Sequence, residues 1–487
     1  MKKIINRILL VLLPAIFAYT GLYPCTMVLV GKKAAVDGSV FLAHNNDLPG
    51  NIASLIQVLP GERHYAGKMI RFRNGLQIPQ AAKTYRLLIM NCYYGFSEGD
   101  AVAINGHQVA IAGGVALKGD RNAKAEEVDP LISGGITGYV RYIALQRSKT
   151  ARECVELIGK MYTQYGISYP SGVGVADPDE AWYMEAAGGR CWVAQRVPDD
   201  GYMAIANGYR IGEVNFKDKN NFIFPPYLKK LIIKKGLWRP EQGAFNFAET
   251  FGRKLRKENN YYNTRRVWRV QRLLTPSRKQ EPAALFYPLV LKPDKKITIR
   301  QLISVLRDRY QGTPYDASSE PSCISHTNSF KERIIGISNT VHTGVIQLRG
   351  WLPAGIGAVM WAGLASAPTT VYIPYYLGIK EVPEPYGIAG PKFAGNSAFW
   401  IFRNLSILVD PYFPRLIDTV LPVWQEMEDT FFAIQGSVEN AALELYKKDE
   451  EAAGDFLTFY TGGLALKALA KAKQLAAELK TGIAKGI

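Results

Sequence analysis

Histidine and cysteine are both scarce in this chain, with five of each among 487 residues. The histidines, His44, His64, His107, His326 and His342, show neither a His-x-x-x-His spacing nor a Glu-paired one. No structural or catalytic metal is therefore expected. The cysteines, Cys25, Cys92, Cys154, Cys191 and Cys323, include no Cys-x-x-Cys and no regular interval, so neither a zinc ribbon nor a disulfide framework can be read from them. For most of them the bland role is that of a small buried apolar side chain. An odd count still leaves at least one thiol over for chemistry. Long apolar runs are missing too. The best candidate, Ile8 to Ala18, is broken by Pro14 and falls well short of the about 20 residues that span a membrane. Gly134, Gly135 and Gly138 lack the spacing of a dinucleotide fingerprint, and no cofactor is expected. Acidic residues are under-represented, with 42 Asp and Glu against 59 Lys and Arg and a net charge of +17. That surplus suits peripheral contact with an anionic envelope surface and does not by itself indicate nucleic acid.

What is present begins at the N-terminus. Lys2, Lys3 and Arg7 precede the apolar run, and Ala18 and Thr20 supply the small residues that a signal peptidase prefers. Residues 1–24 are read as a signal peptide with a short propeptide, Gly21 to Pro24, and the mature protein as secreted or periplasmic. Cys25 then becomes the first mature residue. Such a cysteine can be lipidated, or it can act as a nucleophile whose base is its own α-amine. Pro24, with Tyr23 before it, is a poor lipidation context, because that chemistry needs a small residue before the Cys.

The pattern downstream is α+β. Val28 to Val30 and Val40 to Ala43 flank Val36-Asp37-Gly38-Ser39 and read as a hairpin. Asn105-Gly106 repeats the device before a strand from Gln108 to Ala112. Apolar residues at helical spacing run through 131–165, and Thr150 with Glu153 forms a capping box. Strands return at 172–176, 181–185, 192–197 and 202–206. Further strand patterns are Ile334 to Ile337, Val345 to Leu348 and Thr370 to Ile373. From Ser397 onward the sequence is helical. Strands and helices come in blocks and do not alternate as βαβ units. The domain reading is 25–396 as one unit, with 397–487 a helical extension packed on it.

Several motifs occur in one order: Cys25-Thr26, Asp37-Gly38-Ser39, His44-Asn45-Asn46-Asp47, Lys149-Thr150-Ala151-Arg152-Glu153, Asp177-Pro178-Asp179-Glu180, Tyr262-Asn263-Thr264-Arg265-Arg266, Gly312-Thr313-Pro314-Tyr315-Asp316 and Gln347-Leu348-Arg349. Together they resemble the C69 dipeptidases, N-terminal-nucleophile hydrolases related to penicillin V acylase and bile salt hydrolase. The resemblance implies a four-layer αββα sandwich of two antiparallel sheets. It implies a cysteine dipeptidase with Cys25 as nucleophile and a thioester intermediate. It places Asp47 near the nucleophile's amine, Asn207 as oxyanion donor and Arg266 as the arginine that polarises the site, with neighbouring Arg265 an alternative for that role. His44 stands where the family usually has arginine, and Ala112-Gly113-Gly114-Val115 offers only backbone N–H groups where relatives carry a side-chain donor. A small peptide is the expected substrate, and self-association into a homo-oligomer is compatible with it. Two alternatives stay open: a related N-acyl amide hydrolase, and a non-catalytic envelope lipoprotein that binds peptides.

The chemistry fits the residue types. A thiol of pKa about 8.5 is partly ionised near neutrality and already nucleophilic. An α-amine of pKa about 7.7–8.0 is well matched to act as its base.

Overall fold

The computed structural model describes residues 25–72, 74–93, 101–117, 121–252, 261–282, 284–318 and 333–486. Residues 1–24, the expected leader, lie outside them, as do Cys323 and His326. Two large antiparallel sheets dominate. The seven-stranded sheet runs β14 (Val290–Leu291), β12 (Tyr202–Ile205), β1 (Thr26–Val30), β2 (Val40–Asp47), β15 (Thr340–Leu348), β16 (Val359–Leu364) and β17 (Ile373–Tyr376). The eight-stranded sheet runs β13 (Phe222–Ile223), β11 (Cys191–Arg196), β10 (Ala181–Gly188), β9 (Ser171–Ala176), β8 (Ala110–Ala116), β7 (Val102–Asn105), β6 (Leu87–Cys92) and β3 (Ser54–Leu59). A small ribbon pairs β4 (Met69–Arg71) with β5 (Gln77–Pro79). The helices described are α1 (Ala123–Val128), α2 (Val140–Leu145), α3 (Ala151–Tyr165), α4 (Leu228–Lys234), α5 (Phe247–Phe251), α6 (Tyr261–Leu274), α7 (Ile299–Arg307), α8 (Ala354–Gly357), α9 (Glu384–Gly387), α10 (Ala398–Val409), α11 (Phe413–Tyr446) and α12 (Glu450–Ala484). None of them is long and apolar enough to cross a membrane.

Covering on both faces explains the composition of the central strands. β1, Thr-Met-Val-Leu-Val, is buried at every position, so it reads as a continuous apolar run and does not alternate. The two sheets meet through β2 against β8 and β9, and β1 against β10. Their approach is close. A Cβ at Gly174 of β9 would lie 2.5 Å from the Met27 sulfur, so any side chain there would have to displace the Met27 side chain. Helices α2 and α3 cover the other side of the eight-stranded sheet. α3 turns Cys154, Val155, Ile158, Met161 and Tyr162 inward. Helix α7 packs on β2 and β15, α10 on β16, and α12 on β17.

Two buried ion pairs fasten α11 to this framework. Arg307 of α7 meets Glu428 through two bonds of 2.8 and 2.6 Å. Arg349 meets Glu439 through bonds of 2.7 and 2.6 Å. Paired guanidinium–carboxylate geometry of this kind fixes orientation more than it adds stability.

Some expected strands change on folding, each for a local reason. Ile334 to Ile337 is not a strand. Gly336 N–H bonds to Asp308 O, and Ile335 O accepts from the Asn45 side chain, so these groups are spent outside a ladder. Thr370 to Tyr372 is likewise withheld, because Arg307 takes Thr370 O and Glu428 takes Tyr372 N–H; β17 begins at Ile373. The strand expected from Gln108 starts at Ala110, with Gln108 itself at φ +60°. The cap of α3 also differs in detail. Thr150 Oγ1 accepts Glu153 N–H at 3.1 Å as expected, but Glu153 returns its bond to Lys149 N–H, not to Thr150.

Candidate active site

Cys25 enters β1 between β12 and β2, in the middle strands of the seven-stranded sheet. The Thr26–Asn45 pairing sets Cys25 beside Asn46, and Cys25 Sγ lies 3.5 Å from Asn46 Oδ1. The residue is 1% exposed. On its other flank, helix α6 packs on β12 and sends Arg266 into the interior. Arg266 Nη1 donates to Cys25 O at 2.7 Å and to Thr26 Oγ1 at 3.1 Å. Its Nη2 donates to Asn207 Oδ1 at 3.0 Å and to Asn263 Oδ1 at 2.8 Å. One planar, permanently charged group thus ties the first residue of β1 to the residue just past the end of β12. Asn263 lies one helical turn before Arg266 and closes the ring by donating to Asn207 O. With Asn207 Oδ1 held by Arg266, the amide rotamer is fixed and its NH₂ is turned to the opposite side.

The sequence model of Peptidase family C69 matches residues 24–426, which includes all of these groups. This chain belongs to peptidase family C69. It is 29% identical over 398 residues to a probable dipeptidase of Latilactobacillus sakei, covering 80% of this chain and 81% of that protein. It is 29% identical over 423 residues to dipeptidase A of Lactobacillus helveticus, covering 84% of each. It is 30% identical over 396 residues to a probable dipeptidase of Salmonella dublin, covering 78% of this chain and 89% of the other.

In this C69 chain, Cys25, Asn207 and Arg266 are in one hydrogen-bonded cluster. Asp47 is two strand positions past Asn45 and fully buried. Its direct partners are Arg333 Nη2 at 2.8 Å and Thr340 Oγ1 at 2.5 Å. Burial pushes its carboxyl up, while Arg333, Thr340, Arg266 and Arg403 pull it down, so Arg266 links Asp47 electrostatically to the cluster. Arg265 points elsewhere: its guanidinium carbon sits 3.7 Å from the centre of the Tyr315 ring. Of the two arginines weighed from sequence, Arg266 is the one that holds Cys25. His44 is 0% exposed, and both ring nitrogens lack a partner among the described residues. Burial first, and then the charge of Arg141, hold its imidazole down to about 3. It stays neutral and cannot supply the positive charge that arginine would bring. Cys154 and Cys191 are buried thiols, and burial pushes the Cys154 thiol up to about 12. Among the described residues no group of three or more His, Cys, Asp or Glu is arranged to hold a metal.

Thr26, Asn46 and Asn263, which stand within the sequence motifs but carry no expected role, and Arg333 and Thr340, which lie outside those motifs, also shape the site. Asn263 carried a usable signal, its three-residue spacing from Arg266 on a helix. Thr340 reaches Asp47 from nearly 300 residues away by the pairing of β15 with β2, and Arg333 from the segment ahead of β15, which no local pattern announces.

Glu185 of β10 steadies the turn that carries Asn207. Its carboxyl accepts the N–H of Arg210 at 2.6 Å and of Ile211 at 3.2 Å. Burial pushes it up to about 8, against the pull of those two N–H groups and of Arg210. A raised folded-state value favours the neutral acid in the fold. Its contribution is whole below the unfolded value of 4.5 and is lost as pH rises to about 8. The slope in that window is at most about 1.4 kcal/mol per pH unit. Urea unfolding of the wild type is therefore expected to weaken from about pH 5.5 to about pH 8, and that of Glu185→Gln to weaken by about 1–3 kcal/mol less. Parallel profiles for the two proteins would remove Glu185 as the titrating group.

Proposed function

We propose that this protein is an exported cysteine dipeptidase whose nucleophile is Cys25, exposed as the first residue by removal of residues 1–24. What supports the reading most is the Arg266 cluster, which fixes Cys25 and Asn207 about one charged group. The names carried by its C69 relatives point the same way. The sheets and their covering helices suit the four-layer sandwich of the N-terminal-nucleophile hydrolases, with residues 397–487 an extension of the same unit.

Once the Pro24–Cys25 bond is cut, the α-amine takes the thiol proton. The thiolate attacks the scissile carbonyl carbon, and the carbonyl π electrons move onto oxygen. The Asn207 amide NH₂ donates to that oxyanion. Collapse expels the amine of the C-terminal residue, which receives its proton from the Cys25 ammonium. Water, deprotonated by the same amine, attacks the thioester and releases the N-terminal amino acid and the thiol. Asp47 orients the amine, and Arg266 positions both Cys25 and Asn207.

Intact mass and N-terminal sequencing of the purified exported protein, joined to a hydrolysis panel, test this. The expected result is a bare Cys25 terminus and turnover of dipeptides. A fatty chain on Sγ, or turnover confined to N-acyl amino acids, would overturn it.

A further inference from the structure

The two faces of β2 carry different groups. Register sets Asn45 opposite Thr26 and Thr343, and Asp47 opposite Thr340, on the face that α7 covers. His44 and Asn46 turn to the other face, towards the eight-stranded sheet. Met27, paired with His44, comes close to Gly174 of β9 there. On that inner face Cys25 Sγ lies 3.5 Å from Asn46 Oδ1, within reach of an S–H donor. The next strand sets His342 opposite Asn46, which puts their Cβ atoms about 5 Å apart. His342 Nδ1 is 2.9 Å from the hydroxyl of Ser54, the first residue of β3 in the facing sheet. A polar strip thus runs from the nucleophile across two strands to the second sheet.

Each of these three side chains is sealed from solvent: Asn46, His342 and Ser54 are all 0% exposed. Burying polar groups between two apolar sheets costs free energy unless bonds compensate. Here the compensation is incomplete, since His342 Nε2 has no partner among the described residues. Apolar side chains at these positions would carry no such cost, so the polarity of the strip calls for a reason other than folding.

We propose that Asn46 is a further catalytic residue, which aims the Cys25 sulfur by accepting its S–H, and that His342, held by Ser54, is the positioning residue that keeps Asn46 in place. The inference rests on the reading of Cys25 as nucleophile and deepens it. An amide oxygen can hold the thiol proton but is far too weak a base to take it. The S–H···O bond fixes the direction of Sγ and is lost when the proton leaves, so it favours the thiol over the thiolate. The proton passes only to a stronger base, the α-amine. The resting site is then a neutral thiol beside a free amine, not a standing ion pair.

The test follows alkylation of Cys25 by iodoacetamide against pH, read on the Cys25 peptide by mass, in the mature wild type and its variants. Arg266 on the Cys25 carbonyl, Asp47 on the opposite face of β2, His44 beside Asn46, and Tyr183 and Glu185 of β10, which packs on β1, are common to all the proteins compared. Asn46→Ala removes the acceptor, and the midpoint is expected to fall by about 0.5–1 pH unit. Asn46→Asp keeps the shape but sets a carboxylate against the sulfur, and the midpoint is expected to rise by about 1 pH unit or more. Both should lower kcat on alanyl-alanine by about 10-fold or more. His342→Leu should move the midpoint as Asn46→Ala does, but less, and His342→Gln, which can still bond Ser54, should restore it. Partial unfolding would draw every midpoint towards the ordinary thiol value of about 8.5, so opposite shifts in the two Asn46 variants are a result that a merely structural role does not give. Midpoints that stay at the wild-type value in both, or that move the same way, would overturn the inference. A wild-type midpoint in His342→Leu would remove His342 from it. If the shifts oppose while no dipeptide is cleaved, the role of Asn46 stands and the dipeptidase reading falls. If dipeptides are cleaved and the midpoints do not move, the role of Asn46 falls and the dipeptidase reading stands.

Discussion

Cys25→Ala is expected to lower dipeptide hydrolysis by at least about 10⁴-fold and to leave the protein folded. The size of the effect follows from what the residue supplies. In the proposed mechanism its sulfur forms the covalent intermediate. Two of the other buried thiols are held unreactive: burial raises the Cys154 thiol to about 12, and burial with the Asp129 charge raises Cys191 well above its ordinary range. A thiolate is the reacting form, so these two contribute no background nucleophile near neutral pH. Folding should survive because the contact of Cys25 Sγ to Asn46 is long, at 3.5 Å, and alanine keeps the backbone carbonyl on which Arg266 closes. The measurements are steady-state hydrolysis, alkylation by iodoacetamide and the N-terminus of the purified variant. The wild type should show a fast-reacting thiol that the variant lacks, and the variant should retain Pro24. Full hydrolysis by Cys25→Ala would remove the thioester mechanism outright. Cys25→Ser separates nucleophile from scaffold, since a hydroxyl fits the same space but ionises far less readily; it should fall between the two.

How much of this could be read from the chain depends on the range over which each interaction acts. Local patterns carried far. The alternation and turn chemistry around Asp37-Gly38 place β1 against β2, with Gly38 at φ +84° and Asp37 accepting the Ser39 N–H. The apolar spacing of 151–165 gives α3, and the helix formers after Ser397 give α10 to α12. Composition misled where burial was decided at long range. Arg265, Arg266 and Arg269, taken alone, look like the solvated face of a helix; all three are buried, and only Arg272 of that series is exposed. What buries them is partners supplied by other segments: Asn207 for Arg266, Asp308 for Arg269, and the Tyr315 ring for Arg265. Ile334 to Ile337 failed as a strand for the same reason, since its backbone groups are claimed by Asn45 and Asp308. The resemblance to a known family carries long-range information that periodicity lacks: it named Arg266 and Asn207, which the structure joins to Cys25 by hydrogen bonds, and Asp47, whose direct partners are Arg333 and Thr340. It could not recover Asn263, Arg333 or Thr340, which were not among the family's named roles.

Arg266→Lys is the second large effect, expected to cut kcat on dipeptides by about 10²–10³-fold with KM little changed. Arg266 makes four bonds from two terminal nitrogens set at a fixed angle, to Cys25 O, Thr26 Oγ1, Asn207 Oδ1 and Asn263 Oδ1. A lysine keeps the charge but has one nitrogen on a flexible stem, so it cannot hold Cys25 and Asn207 at once. The Asn207 amide would then be free to rotate, and its NH₂ would no longer be aimed by the bond on its oxygen. Preorganised donors matter in the transition state more than in the bound ground state, which is why the loss belongs in kcat. Simple destabilisation would behave differently: it would lower the fraction of active protein and leave the pH profile of the remainder alone. Asp47 lies in the field of Arg266, so moving that charge should also shift the pH profile of kcat/KM. The decisive comparison is Asn263→Ala, which removes one acceptor of Arg266 and the donor to Asn207 O but leaves the charge in place. It should lower kcat by less than Arg266→Lys and keep the wild-type pH profile. Equal losses and identical profiles in the two variants would mean that Arg266 serves the fold and not the orientation of Cys25 and Asn207.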